Sequence, residues 1–107
     1  MSFPYEGPEA LRQPVTTALS RVVDPEVSLN IVDVGLVYGV TVAGDTVHVR
    51  ITMTSAACPV ADLIIEDAEL ELNKVLPEHF KICTELVWEP PWTPDLMSRD
   101  AKRFMGW

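Results

Sequence analysis

Cysteine is scarce in this chain. There are two among 107 residues, Cys58 and Cys83, too few for the disulfide framework that staples small secreted proteins. A reducing, cytoplasmic home is therefore expected. Positive charge is scarce as well: eight Lys and Arg face sixteen Asp and Glu, a formal charge of -8. The longest basic group is Lys102-Arg103 with Arg99 nearby. A nucleic-acid backbone asks for larger cationic clusters than this, so nucleic acid is not an expected partner. No apolar run approaches the ~20 residues that a membrane span needs. The opening MSFPYEGPEA has neither the basic start nor the apolar stretch of a secretory signal. Also missing are the nucleophile elbow of a Ser/His/Asp hydrolase, a phosphate-binding glycine loop, and the paired CxxC spacing of zinc sites.

What the chain does have is apolar content, 48% of its residues, enough for one hydrophobic core at this length. Residues 1–13 carry Pro4, Gly7 and Pro8 without a sustained period and read as a poorly ordered lead-in to a single domain over 14–107. From Pro14, which suits a first helical position, Val15, Ala18, Leu19 and Val22 follow a helical spacing. Asp24-Pro25 should end that helix. DPEVSLNIVDVG then reads as a loop of about a dozen residues. Such a loop in a compact domain is usually functional or disordered, and its apolar content argues against disorder. It holds three carboxylates, Asp24, Glu26 and Asp33.

Two strands follow, LVYGVTV (Leu36–Val42) and VHVRITMT (Val47–Thr54), joined by a glycine-first hairpin turn at Gly44-Asp45. Pro59 opens a second helix whose stripe is Ala61, Ile64, Ile65, Ala68, Leu72, Val75 and Leu76, with Asp62, Glu66, Glu69 and Glu71 on a solvated face. KICTELVWEP is a third strand, with Ile82, Thr84, Leu86 and Trp88 on one side. A short tail helix has Ser98 as N-cap and Gly106 as stop; Trp92, Phe104 and Trp107 are candidates to anchor it. The pattern α-β-β-α-β plus a C-terminal helix predicts an α+β two-layer sandwich, helices on one face of a small mixed sheet.

Cys58 is the residue with the most chemical promise. In MTSAACPVADLI it stands directly before Pro59, at the expected N-cap, where free amides and the helix dipole favour a thiolate. Thr52, Thr54 and Ser55 place hydroxyls just ahead of it. A free cysteine at a tight turn is equally a small buried hydrophobe, and both readings stand on local pattern. Cys83, mid-strand, offers less; His48 and His79 are single and expected in solvent. Asp24, Glu26 and Asp33 could serve a hard metal ion or could be ordinary turn residues.

Three stretches taken together, DPEVSLNIVDVGLVY, VRITMTSAACP and LVWEPPWTPDLMSRDAKRFMGW, resemble in order and spacing the metal–sulfur cluster biosynthesis family of SufT- and PaaD-like proteins. The resemblance spans about residues 14–107. It implies an iron–sulfur cluster assembly-type domain, a role in maturing or inserting clusters through the SUF system or its equivalents, and no enzymatic turnover. Residue by residue, it implies Cys58 as the cluster or metal contact, with Asp24, Glu26, Asp33, Thr52, Thr54 and Trp92 as supporting positions. Ala57 stands where the family often has glycine, and Cys83 where it usually has a polar strand residue. The cysteine-rich C-terminal extension of PaaD-type proteins does not follow Trp107, which argues against a phenylacetate-specific role.

One cysteine per chain cannot hold a cluster alone. The implied cofactor is a transient iron–sulfur cluster or iron with none tightly bound, and the implied partners are scaffold or client proteins, with a homodimer left open. Two rival readings remain: an enzyme with Cys58 as nucleophile, and an interaction module in which Cys58 only caps a helix.

Overall fold

The computed structural model describes residues 3–25, 28–53 and 61–106. Its sheet grows from the period-2 pattern of two strands. In β4 (Val37–Ala43) and β5 (Thr46–Ile51), Val40, Val42, Val47, Val49 and Ile51 point to one face and are buried. The antiparallel register sets Val40 against Val49 and Val42 against Val47, while Thr41 and His48 share the opposite face. Gly44, at φ 61, makes the expected glycine-first turn between them. The register shifts between Val37 and Gly39, a bulge that leaves Tyr38 as the extra residue and re-aims its side chain.

Two further strands complete a four-stranded mixed sheet in the order β1-β4-β5-β6. β6 (Lys81–Leu86) runs parallel to β5, so the connection between them must cross over. α3 (Ala61–Val75) makes the crossing and buries Ile64, Ala68 and Leu72 against the sheet. Its expected opening at Pro59 lies outside the described residues. Ile82, Thr84 and Leu86 alternate inward as expected, but the strand ends there and Trp88 is 43% exposed.

The expected lead-in is corrected. β1 (Tyr5–Glu6) pairs parallel to β4, and α1 spans Glu9–Leu19 with Pro14 inside it rather than at its start. Glu9, Ala10, Leu11, Arg12 and Gln13 are all good helix formers, and Glu9 and Arg12 close the first turn with a 2.7 Å ion pair. Pro14 removes one backbone bond without stopping a helix already favoured on both sides. A two-residue strand that pairs with a partner far along the chain is invisible to a search for periodicity.

The end of α1 is corrected too. It stops at Leu19, where Ser20 turns its hydroxyl back onto the Thr16 carbonyl (2.8 Å), and β-branched Val22-Val23 turn extended. The dozen-residue loop is in fact structured. β2 (Val23–Asp24) and β3 (Leu29–Asn30) form a small antiparallel ladder. The helical turn α2 (Ile31–Val34) follows, capped by Asn30 and closed by Gly35 at φ 87.

α4 (Arg99–Met105) ends the described chain. Ser98 caps it by accepting from the Ala101 amide, and Gly106 at φ 79 stops it, both as expected. The helices lie on one face of the sheet and enclose a core in which Val15, Leu19, Ile31, Val34, Leu36 and Ile64 are fully buried. This is the expected α+β two-layer arrangement.

Candidate functional site

The site is assembled at the C-terminal end of β5. Beyond Ile51 the ladder stops, and the backbone is held instead by one bond on each side. Thr52 N–H donates to the Leu36 carbonyl (2.8 Å), and Val87 N–H donates to the Ile51 carbonyl (2.8 Å). Three separate parts of the chain therefore meet where β5 leads into the segment 54–60 that contains Cys58.

Around this junction the tail closes over α2. Trp92 Nε1 donates to the Val34 carbonyl (2.8 Å), one of the acceptors left free at the end of a single helical turn. Ser98 N–H donates to the Asp33 carbonyl (2.7 Å). Tyr38, re-aimed by the bulge, donates its hydroxyl hydrogen to the Pro90 carbonyl (2.7 Å). A Cβ on Gly35 would collide with the Leu96 carbonyl, so the tail backbone lies directly on this glycine.

The expected site residues fall into three groups. Thr52, Trp92 and Asp33 come together at this junction. Thr52 is buried, 1% exposed, although strict alternation after Ile51 would turn it to the open face; the strand has ended and the bond to Leu36 turns the residue inward. Its Oγ1 makes no well-formed hydrogen bond, though it lies near enough to the Tyr38 hydroxyl to favour the phenolate there. Burial is the stronger influence, and together with the Glu89 carboxylate it leaves the Tyr38 pKa above its ordinary value. Asp33 is tied to Asn30 through the side-chain amide (2.8 Å) and by its own N–H (2.9 Å), so its carboxylate serves the cap of α2.

Asp24 forms the second group. It is 1% exposed at the end of β2, and its carbonyl accepts from Ser28 N–H (2.8 Å). A carboxyl so deep in the fold is held by structure rather than offered to solvent. The third group, Cys58, Glu26 and Thr54, lies outside the described residues, as does Trp107. Among the described residues no group of three or more His, Cys, Asp or Glu side chains is arranged to hold a metal ion.

Other expectations need correction. Phe104 is 66% exposed and does not anchor the tail, which is held by Trp92 and by the buried Met97 and Ala101. Glu69 and Glu71 are not simply solvated: Glu69 accepts from the Thr84 hydroxyl (3.1 Å) and Glu71 faces Lys74 (3.1 Å) and Arg21 (3.9 Å). His48 stays on the solvent-exposed face as expected and pairs there with Glu85 (2.9 Å). Sequence reasoning missed Tyr38 altogether. Its one signal was an aromatic residue beside a glycine in an otherwise aliphatic strand, a mark of bulges.

Comparison with known proteins gives the same answer over nearly the whole length. Residues 12–82 match the family described as iron–sulfur cluster assembly protein. The Fe-S protein maturation auxiliary factor YitW of Bacillus subtilis is 43% identical, over 92% of this chain and 96% of its own. The Fe-S protein maturation auxiliary factor SufT of Staphylococcus aureus is 43% identical over 79% of this chain and 97% of its own. A solved structure of a DUF59 domain, of unknown function, from Bacillus anthracis superimposes with a TM-score of 0.85 at 39% identity, covering 92% of this chain and 93% of that one. The fold, the three stretches in register and these likenesses agree, and the chain belongs to the SufT-like iron–sulfur cluster assembly family.

Proposed function

We propose that this protein is an accessory factor that helps assemble iron–sulfur clusters or insert them into client proteins, without enzymatic turnover, and that Cys58 is its transient contact with a cluster, iron or persulfide sulfur. The observation that carries the reading is the clamp at the end of β5. Bonds from Leu36, Val87 and, through the tail, Trp92 and Tyr38 fix the chain on the strand side of the Cys58 segment. On its other side the chain enters a helix of fifteen described residues packed into the core. Firm anchors before and after the segment that carries the thiol suit the handing over of a labile group.

The chemistry supports a passing contact. A single chain offers one thiol at this position, and tetrahedral iron or an iron–sulfur cluster takes several thiolates. The remaining ligands would come from a scaffold or client protein, so the cluster is cargo. Relatives named as Fe-S protein maturation auxiliary factors support an accessory role. Free thiols and cluster chemistry both suit a reducing compartment.

Two measurements test the role. Cells lacking this protein should show lowered activity of iron–sulfur enzymes at unchanged enzyme abundance, restored by the parent chain. Anaerobic reconstitution with iron, sulfide and a small thiol to supply the remaining ligands should give charge-transfer absorbance, above that of the same mixture without protein, that Cys58→Ser loses. Normal iron–sulfur enzyme activity in the deletion strain under iron limitation and oxidative stress would overturn the proposal.

A further inference from the structure

Two helices carry exposed faces that the fold leaves unpartnered. α4 holds Arg99, Lys102 and Arg103, three of the eight Lys and Arg in a chain of formal charge -8. Its outer side also presents Phe104, 66% exposed. None of the three cations forms an ion pair among the described residues; the pairs present involve Arg12, Arg21, His48 and Lys74. α3 offers the opposite. Leu63 and Leu70, two turns apart, are 49% and 57% exposed, and Asp62 and Glu66 beside them are exposed and likewise unpaired among the described residues. An exposed leucine alone needs no explanation. Two in line, rimmed by charge of one sign, and matched by an apolar residue rimmed by the other sign on the same molecule, do.

We propose that these faces bind each other between two copies of this chain, α4 of each on α3 of the other. α3 packs on α1, α1 on α2 and α2 on α4, so α3 and α4 stand at opposite ends of one row of helices. A two-fold axis that lays the outer sides of two such rows against each other sets each α4 over the partner's α3 and makes both contacts at once, the isologous arrangement of most homodimers. The spacing also matches. Arg99 and Arg103 are one turn apart, about 6 Å along the axis, as are Asp62 and Glu66. An antiparallel approach sets Arg103 against Asp62 and Arg99 against Glu66, and brings Phe104 beside Leu63.

This dimer does not depend on the role assigned to Cys58. Its consequence for that role is that α4 of one copy would lie along the first turns of the helix that follows the Cys58 segment of the other.

Sedimentation velocity over a concentration series tests the proposal on the whole chain, with circular dichroism to show that the variants fold. All four substituted positions are exposed, so folding should survive. The parent should show a concentration-dependent dimer. R99E/R103E should weaken it by about tenfold or more by setting like charges together, and so should D62K/E66K. An equimolar mixture of the two variants should dimerise again, because each α4 then meets an α3 of opposite charge. A parent that stays monomeric at all concentrations, a dimer that both variants leave unchanged, or a mixture as monomeric as its components would each overturn the proposal, the first by leaving the basic helix to an acidic partner of another kind.

Discussion

Trp92 joins two parts of the chain 58 residues apart through one hydrogen bond to the Val34 carbonyl. Its ring also packs against the core. Trp92→Phe keeps most of the ring and removes the donor, so it should cost about 1 kcal/mol, a fall of roughly 4–8 °C in Tm for a domain near this size, read by thermal circular dichroism. An unchanged Tm would mean that the tail is held by backbone contacts alone. Both tyrosines of the chain titrate late: Tyr38 because burial outweighs the favourable Thr52 hydroxyl, and Tyr5 because burial outweighs the nearby Arg12 guanidinium. A phenol whose folded pKa is raised keeps its proton longer in the native state than in the unfolded one. Its contribution is therefore fully present below the unfolded pKa of about 10 and is lost as pH rises from there through the folded value. Phenolate absorbance of the native protein should rise above pH 10 and shift down on denaturation. Coincident native and denatured curves would contradict that arrangement. Thr52→Val should push the Tyr38 transition higher still.

Among the elements, α2 decides the architecture of the site, although it has only four residues. It is made by its caps: Asn30 accepts the Asp33 amide hydrogen (2.9 Å), and Gly35 takes the left-handed turn that other residues rarely adopt. Gly35→Ala should be costly on two counts, φ 87 and collision with the Leu96 carbonyl. A loss of at least about 1–2 kcal/mol is expected from the backbone alone, with a red shift of tryptophan emission as the tail lifts and carries Trp92 away from α2. A variant with parent stability and emission would show that the tail does not rest on this glycine. Neither α2 nor the β2–β3 ladder was legible in DPEVSLNIVDVG, because elements of two to four residues are too short to show a period. The Asn-x-x-Asp and the glycine that build α2 read equally well as turn chemistry. Longer elements were legible. The alternation of Val47, Val49 and Ile51 and the helical spacing of Ile64, Ala68 and Leu72 each span enough residues to choose one period over the other.

At the scale of the whole molecule, the two-layer α+β arrangement follows from those long elements. The pairing of β1 with β4 and of β6 parallel to β5 does not, since partners far apart in sequence leave no mark on local periodicity. The site divides in the same way. Trp92 at the PPW turn and Thr52 ahead of the cysteine stood out by motif. The inward turn of Thr52, the capping duty of Asp33 and the re-aimed Tyr38 follow from tertiary contacts that no local pattern encodes. The described residues hold the chain firmly on the strand before residues 54–60 and in the helix after them, and the proposed function rests on the thiol of Cys58 between them. Serine is itself a good helix N-cap, so Cys58→Ser should leave the circular dichroism spectrum unchanged and the Tm within a few degrees. The direct measurement is the activity of iron–sulfur enzymes in cells lacking this protein and supplied with the parent, Cys58→Ser or Cys83→Ser. The account predicts restoration by the parent and by Cys83→Ser, and failure by a folded, normally abundant Cys58→Ser; full restoration by Cys58→Ser would contradict it.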